Sequence, residues 1–338
     1  MTRDFDRYIE FLRFSLDPKD TQVPNLVDYD WEGLLHFSRA MRIAGVVWQG
    51  IEKLGKNNPD GPSVEVLQTW KEVVEGIRNY SHSADGTTRV IYQNIRQHGF
   101  RAVILKGQGT AMNYPDWSLR MPGDIDVWLQ KEGMADFQTA SERRHNIEEI
   151  RKYCEKFTNN VSVDSTHVAK QIVGEILVDI HHRPTNFKNP FYNARMQKYF
   201  RSQAPRQFGN IVHLPNGAIF GKPTNDFCMV YQICHIFKSI KDIGLGLRRL
   251  IDYYYLLRVS TREEREKAAS VLKKLGMKKL AQAVVWIEIE KFGLDPQYVV
   301  LPPDERRGKI LYDIIRRGKK INGMKDYWRR WLLCTLNF

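Results

Sequence analysis

VILKGQGTAMNYPDWSLRMPGDIDVWL, residues 103–129, is the stretch on which the reading of this chain turns. It runs from an apolar strand through a glycine turn, a short helical stretch and an arginine into Gly123-Asp124-Ile125-Asp126, which opens a second apolar strand. In extended backbone successive side chains point to opposite faces, so Asp124 and Asp126 are expected on one face while Ile125 and Val127 point inward. Two carboxylates a few ångströms apart repel each other unless a cation lies between them. Magnesium suits the pair, because it takes hard oxygen ligands and completes its octahedron with water and substrate phosphates; manganese is the second choice.

Upstream, the strand Arg101 to Leu105 leads into Lys106-Gly107-Gln108-Gly109 and then Thr110-Ala111-Met112. A helix starting there would aim backbone N–H groups at an anion. Gly107 and Gly109 permit the turn and the close approach of a phosphate, Lys106 adds a point charge, and the Gln108 amide can donate. Arg120, four residues before Asp124, is expected to reach the same phosphates with its planar fork.

Each piece alone is commonplace, since a lone DxD is usually a solvated turn and a lone KGxG a plain strand-to-helix connection. In this order they resemble the nucleotidyltransferase fold of the DNA polymerase beta superfamily. The wording is similar to an uncharacterised bacterial nucleotidyltransferase family marked by LKG, YP-D and R-x-x-GDID, here Leu105-Lys106-Gly107, Tyr114-Pro115-Asp116 and Arg120 to Asp126. The resemblance implies a third carboxylate on a neighbouring strand that ends in an acidic-apolar-His pattern. Glu175 to Pro184, EILVDIHHRP, fits it. Asp179 and His181 share a face with Leu177, and Asp179 is expected to bind a second metal ion or to act as the base for the acceptor hydroxyl. The plainer alternative pairs Asp179 with Arg183. Adjacent strand residues face opposite sides, so His181 is expected near the site and His182 outside it.

The superfamily turn usually carries Gly-Ser or Gly-Gly where this chain has Gly107-Gln108. Gly244 to Asp252, GLGLRRLID, following a helix that contains His235, also resembles the family. Arg248 is read either as contacting nucleotide phosphate or acceptor, oriented by Asp252, or as the partner of Asp252 in a simple i,i+4 pair.

The net charge of +13 over 338 residues suits a polyanionic partner, nucleic acid or the phosphates of a nucleotide. Residues 301–338 hold ten Lys or Arg against four Asp or Glu, interleaved with Tyr312, Tyr327, Trp328 and Trp331. They are read as solvated, docked amphipathic helices or as a surface for bases or membrane. The N-terminal stretch carries charges throughout and no apolar run is long enough to span a bilayer, so a cytoplasmic chain without stable membrane insertion is expected. Cys154, Cys228, Cys234 and Cys334 form no CxxC pair, which fits reduced thiols and no zinc site.

Apolar residues recurring at three- and four-residue steps predict helices over 4–16, 30–54 with a break near Gly45, and 63–98. Lys131 to Phe157 reads as helical, 161–164, 167–172 and 176–181 as strands, and Arg206 to Leu214 as a further edge strand. Helices are expected from Thr224 or Asn225 to about Ile240, and over 262–292 and 304–336. The expected class is α+β, a small mixed-sheet nucleotidyltransferase core with helices on one side. Three regions follow: an N-terminal helical 1–98, a core 99–222, and a C-terminal helical 223–338 acting as lid or acceptor domain.

The activity implied is magnesium-dependent transfer of a nucleoside monophosphate from an NTP to a hydroxyl on a small molecule, a protein or an RNA end, with two metal ions held by Asp124, Asp126 and Asp179. Competing readings are a catalytically silent basic protein binding nucleotide or RNA, and a DxD glycosyltransferase using a sugar nucleotide. The base, the acceptor and the oligomeric state stay open.

Overall fold

The computed structural model describes residues 4–55, 58–134, 139–213, 219–242 and 245–318. In chain order the elements are α1 (Phe5–Leu16), α2 (Trp31–Ala40), α3 (Ala44–Leu54), α4 (Val64–Gln97), β1 (Phe100–Lys106), α5 (Gln108–Ala111), β2 (Ile125–Lys131), α6 (Ala140–Cys154), β3 (His167–Val173) and β4 (Ile176–His181). Then follow α7 (Pro190–Gly209), β5 (Ile211–His213), β6 (Ile219–Gly221), α8 (Asn225–Asp242), α9 (Leu247–Val259), α10 (Arg262–Lys274), α11 (Lys278–Glu290) and α12 (Glu305–Arg317). The class is α+β, as expected. The chain divides into two units: a helical one from the described parts of 1–79, 116–121 and 232–338, and a sheet-bearing one from 80–115 and 122–231.

The sheet unit is built on a four-stranded mixed sheet of order β1-β2-β4-β3. β2 runs antiparallel to β1 and parallel to β4, and β3 runs antiparallel to β4. The period of two sorts β2 into two faces. Ile125, Val127 and Leu129 join Val178, Ile180 and the apolar residues Ile91, Ile95, Ile150 and Tyr153 of α4 and α6 in one core. On the opposite face Trp128 packs against Phe208 and Phe227, ring centroids 4.6 and 6.3 Å away. Both faces of β2 are therefore covered, which corrects the expectation of helices on one side only. The cause is α7, which Asn189 caps and Pro190 opens, and which buries Met196, Phe200, Ala204 and Phe208 at four-residue steps. Arg206 to Gly209 is accordingly helix rather than edge strand, and Ile211–His213 pairs with β6 in a separate two-stranded sheet.

The helix read from Lys131 begins later. Lys131 closes β2, and α6 starts at Ala140 behind a capping box between Thr139 and Glu142. In the helical unit the break foreseen near Gly45 falls at residues 41–43, where Arg42 has φ +61°. Gly45 itself serves close packing, since a Cβ there would meet the Leu119 carbonyl oxygen at 2.1 Å. Tyr255 on α9 donates its hydroxyl to Leu16 O at 3.2 Å, tying the first helix to the C-terminal bundle. The basic, aromatic tail beyond residue 318, with Cys334, lies outside the described residues. No described helix is long and apolar enough to cross a membrane.

Candidate active site

The carboxylate cluster lies in the sheet unit, and strand register assembles it. Asp126 on β2 stands opposite Asp179 on β4, and Lys106 at the end of β1 stands opposite Asp126 across an irregularity between Ile104 and Lys106. Asp124 precedes the strand and remains about a third exposed, whereas Asp126 and Asp179 are buried. One carboxylate oxygen from each of the three lies within 4.8 Å of the others, so together they offer a cation three hard ligands. The Lys106 ammonium sits against this cluster, 3.3 Å from Asp124 Oδ2 and 2.9 Å from Asp126 Oδ2.

The two buried aspartates are electrostatically unlike. Burial raises the Asp126 pKa, but Lys106 and His181, whose Nε2 is 2.8 Å from Asp126 Oδ1, outweigh it and hold this carboxyl well below the usual range. Asp179 is pushed upward by burial and then by the charge of Asp126, with Lys170 at 3.6 Å opposing only in part. Its Oδ1 is buried and without a hydrogen-bond partner. Arg183 does not pair with Asp179; it donates to His182 Nδ1 at 3.3 Å, while His182 Nε2 lies 3.1 Å from Asp164 O. His182 thus points away from the carboxylates and His181 toward them.

The turn before the site has the backbone that the glycines suggested: Gly107 has φ +91°, and a Cβ there would press on Asp124 O at 3.4 Å. Gln108 does something else. Its side chain is buried and donates to Ser81 O at 3.1 Å and Asp85 Oδ1 at 3.2 Å on α4, so it pins the turn to the helix beneath. Gly109 lets the stem of Lys222 pass, with Cγ 3.3 Å from where a Cβ would be. The Lys222 ammonium bonds Asn113 Oδ1 at 3.0 Å.

Arg120 and Arg248 belong to the helical unit. The Arg120 guanidinium is buried and grips Asp252 with two bonds, 2.7 Å from Nε and 2.9 Å from Nη2. Arg248 donates to Met121 O at 3.1 Å. Asp116 of the YP-D motif accepts from Ser118 N at 3.0 Å and caps a short 3-10 turn.

Sequence reading missed His167 and Lys170. His167 stands opposite His181 in register, their ring centroids 4.3 Å apart, and its Nε2 is 3.9 Å from Asp179 Oδ2. A period-two reading of β3 predicts which residues share a face only where the ladder is regular, and here the register shifts between His167 and Ala169.

No curated protein matches the chain. The profile of a family described as uncharacterised nucleotidyltransferase matches residues 28–292. That span takes in the glycine turn, the carboxylate cluster and the helices through α11, and the chain belongs to this family of uncharacterised nucleotidyltransferases.

Proposed function

We propose that the chain transfers a nucleoside monophosphate from an NTP to a hydroxyl acceptor, with release of pyrophosphate, on a fold of the DNA polymerase beta superfamily. The observation that carries the reading is the cluster itself: three carboxylates from two adjacent strands within 4.8 Å, two of them buried, behind a glycine turn that begins with a lysine. Asp124, Asp126 and Asp179 would hold magnesium, or manganese in its place, with two ions as the expected number. Such ions neutralise phosphate charge and orient the reacting oxygens.

The residues of the chain do the rest. Lys106 would offer its ammonium to the triphosphate, and the Gly107 turn would let the backbone approach it. The acceptor oxygen would attack the α-phosphorus as the bond from that phosphorus to the oxygen bridging the β-phosphate breaks, and the acceptor proton would pass to the Asp179 carboxylate. Pyrophosphate leaves with its negative charge facing Lys106.

The test is pyrophosphate release and thermal shift with each of the four NTPs, with and without magnesium, beside the Asp124→Asn, Asp126→Asn double variant. Magnesium-dependent stabilisation by an NTP in the wild type alone is the expected result. Stabilisation that persists in the double variant, or a wild type indifferent to all four NTPs, would overturn the reading.

A further inference from the structure

We propose that His167, Asp179 and His181 form a transition-metal site beside the all-carboxylate cluster, with Asp179 common to both. The inference goes beyond nucleotide transfer and does not depend on it, because hard oxygen ligands suffice for magnesium and the imidazoles have no part in that chemistry.

One ligand atom from each of the three residues lies within 4.8 Å of the other two. Each imidazole already has one nitrogen engaged by a second carboxylate. His167 Nδ1 lies 3.0 Å from Asp164 Oδ2, and His181 Nε2 lies 2.8 Å from Asp126 Oδ1. A carboxylate behind a histidine is the arrangement that, in metal sites, sets the tautomer and orients the other nitrogen toward the ion. For His167 that nitrogen is Nε2, the one 3.9 Å from Asp179 Oδ2. For His181 it is Nδ1, buried and without a hydrogen-bond partner. Asp179 Oδ1 is likewise buried and unpartnered. His181 and Asp179 are each only 4% exposed, and buried polar atoms are ordinarily paired, so two such atoms together point to a ligand that pairs them.

The donor set names the class of ion. Two imidazole nitrogens and one carboxylate suit zinc, cobalt, iron, nickel or manganese, whereas magnesium prefers an all-oxygen shell. The sheet holds the set rigidly: His167 and His181 are register partners on β3 and β4, and Asp179 is two residues from His181 on the same face.

The full-length chain, stripped with EDTA and supplied with excess magnesium, is titrated with cobalt(II). The expected result is visible d–d absorption that saturates at one equivalent and is displaced by zinc. His167→Ala should abolish the bands. Asp164→Asn, which leaves the ligands in place, should weaken binding roughly 10- to 100-fold. Asp124→Asn should leave the cobalt spectrum and affinity unchanged although it removes a ligand of the carboxylate cluster, so this inference and the nucleotidyltransferase reading fail separately. Zinc-edge X-ray absorption of the wild type loaded with one equivalent decides the matter without any variant. Two imidazole ligands are expected; an all-oxygen shell, or cobalt bands that survive His167→Ala, would overturn the proposal.

Discussion

Two buried aspartates, Asp252 in the helical unit and Asp179 in the sheet unit, show how differently one side chain can be used. Asp252 receives two hydrogen bonds from Arg120, at 2.7 and 2.9 Å, and that planar, bidentate contact satisfies both oxygens. Asp179 is as buried, yet the nearest basic groups are the Lys170 ammonium at 3.6 Å and the His167 imidazole at 3.9 Å, one oxygen has no partner, and another aspartate stands opposite it. A buried charge with its full complement of bonds is a structural element whose loss leaves the partner stranded. A buried charge left short of bonds beside a like charge is held there by the fold at a cost in stability, and that cost is common where a ligand completes the site.

The comparison predicts opposite outcomes for the two residues. Asp252→Ala removes both charge-assisted bonds to the buried Arg120 guanidinium and should destabilise by about 3–5 kcal/mol in urea denaturation. A loss below about 1 kcal/mol would mean that the pair is no more than a surface bridge. Next in size is the response to metal. Magnesium or manganese at a hundred times its Kd should stabilise the wild type by about 2.7 kcal/mol, read as a rise in Tm over the EDTA-treated protein. Asp126→Asn should lose most of that rise, and equal stabilisation of wild type and variant would place the ion elsewhere.

Asp179→Asn, by contrast with Asp252→Ala, removes one of two crowded carboxylates and should make the metal-free chain more stable by roughly 0.5–2 kcal/mol while weakening metal binding. A marked loss of stability would show that Lys170 and His167 satisfy Asp179 after all. The smallest effect sharpens the contrast within the helical unit itself. Glu288 on α11 is fully buried with neither oxygen hydrogen-bonded, and burial pushes its pKa well above the ordinary value. Its folded form holds the proton more tightly than the unfolded chain does, so stability is greatest below the usual carboxylate range and falls as pH rises toward the folded pKa. Glu288→Gln should flatten that fall and raise stability at neutral pH by about 1 kcal/mol, followed as Tm against pH. An unchanged pH slope would show that Glu288 is paired.

Several parts of the site were legible because they are local. The spacing of Asp124 and Asp126, the glycines at 107 and 109, and the alternation through Asp179 and His181 follow from the period of two and from positive-φ turns, which depend on a few neighbouring residues. The split between His181 and His182 followed from the same alternation. What the chain did with Gln108 was not legible, because an amide able to donate to phosphate is equally able to donate to Ser81 and Asp85, and only the position of α4 chooses between them. Arg120 is the same case at longer range. Its motif position suggested an anion, and its partner turned out to be a carboxylate 132 residues away.

By itself, then, the sequence determined the α+β class, the identity of the paired carboxylates, the turn before them and most helix limits, since each depends on periodicity and capping within a short window. Tertiary structure alone decided that Lys106 and His181 flank Asp126, that His167 faces Asp179, that α7 covers the second face of β2, and that Asp252 belongs to Arg120. These are matters of strand register and helix placement, set by the burial of whole faces, and no local pattern encodes them.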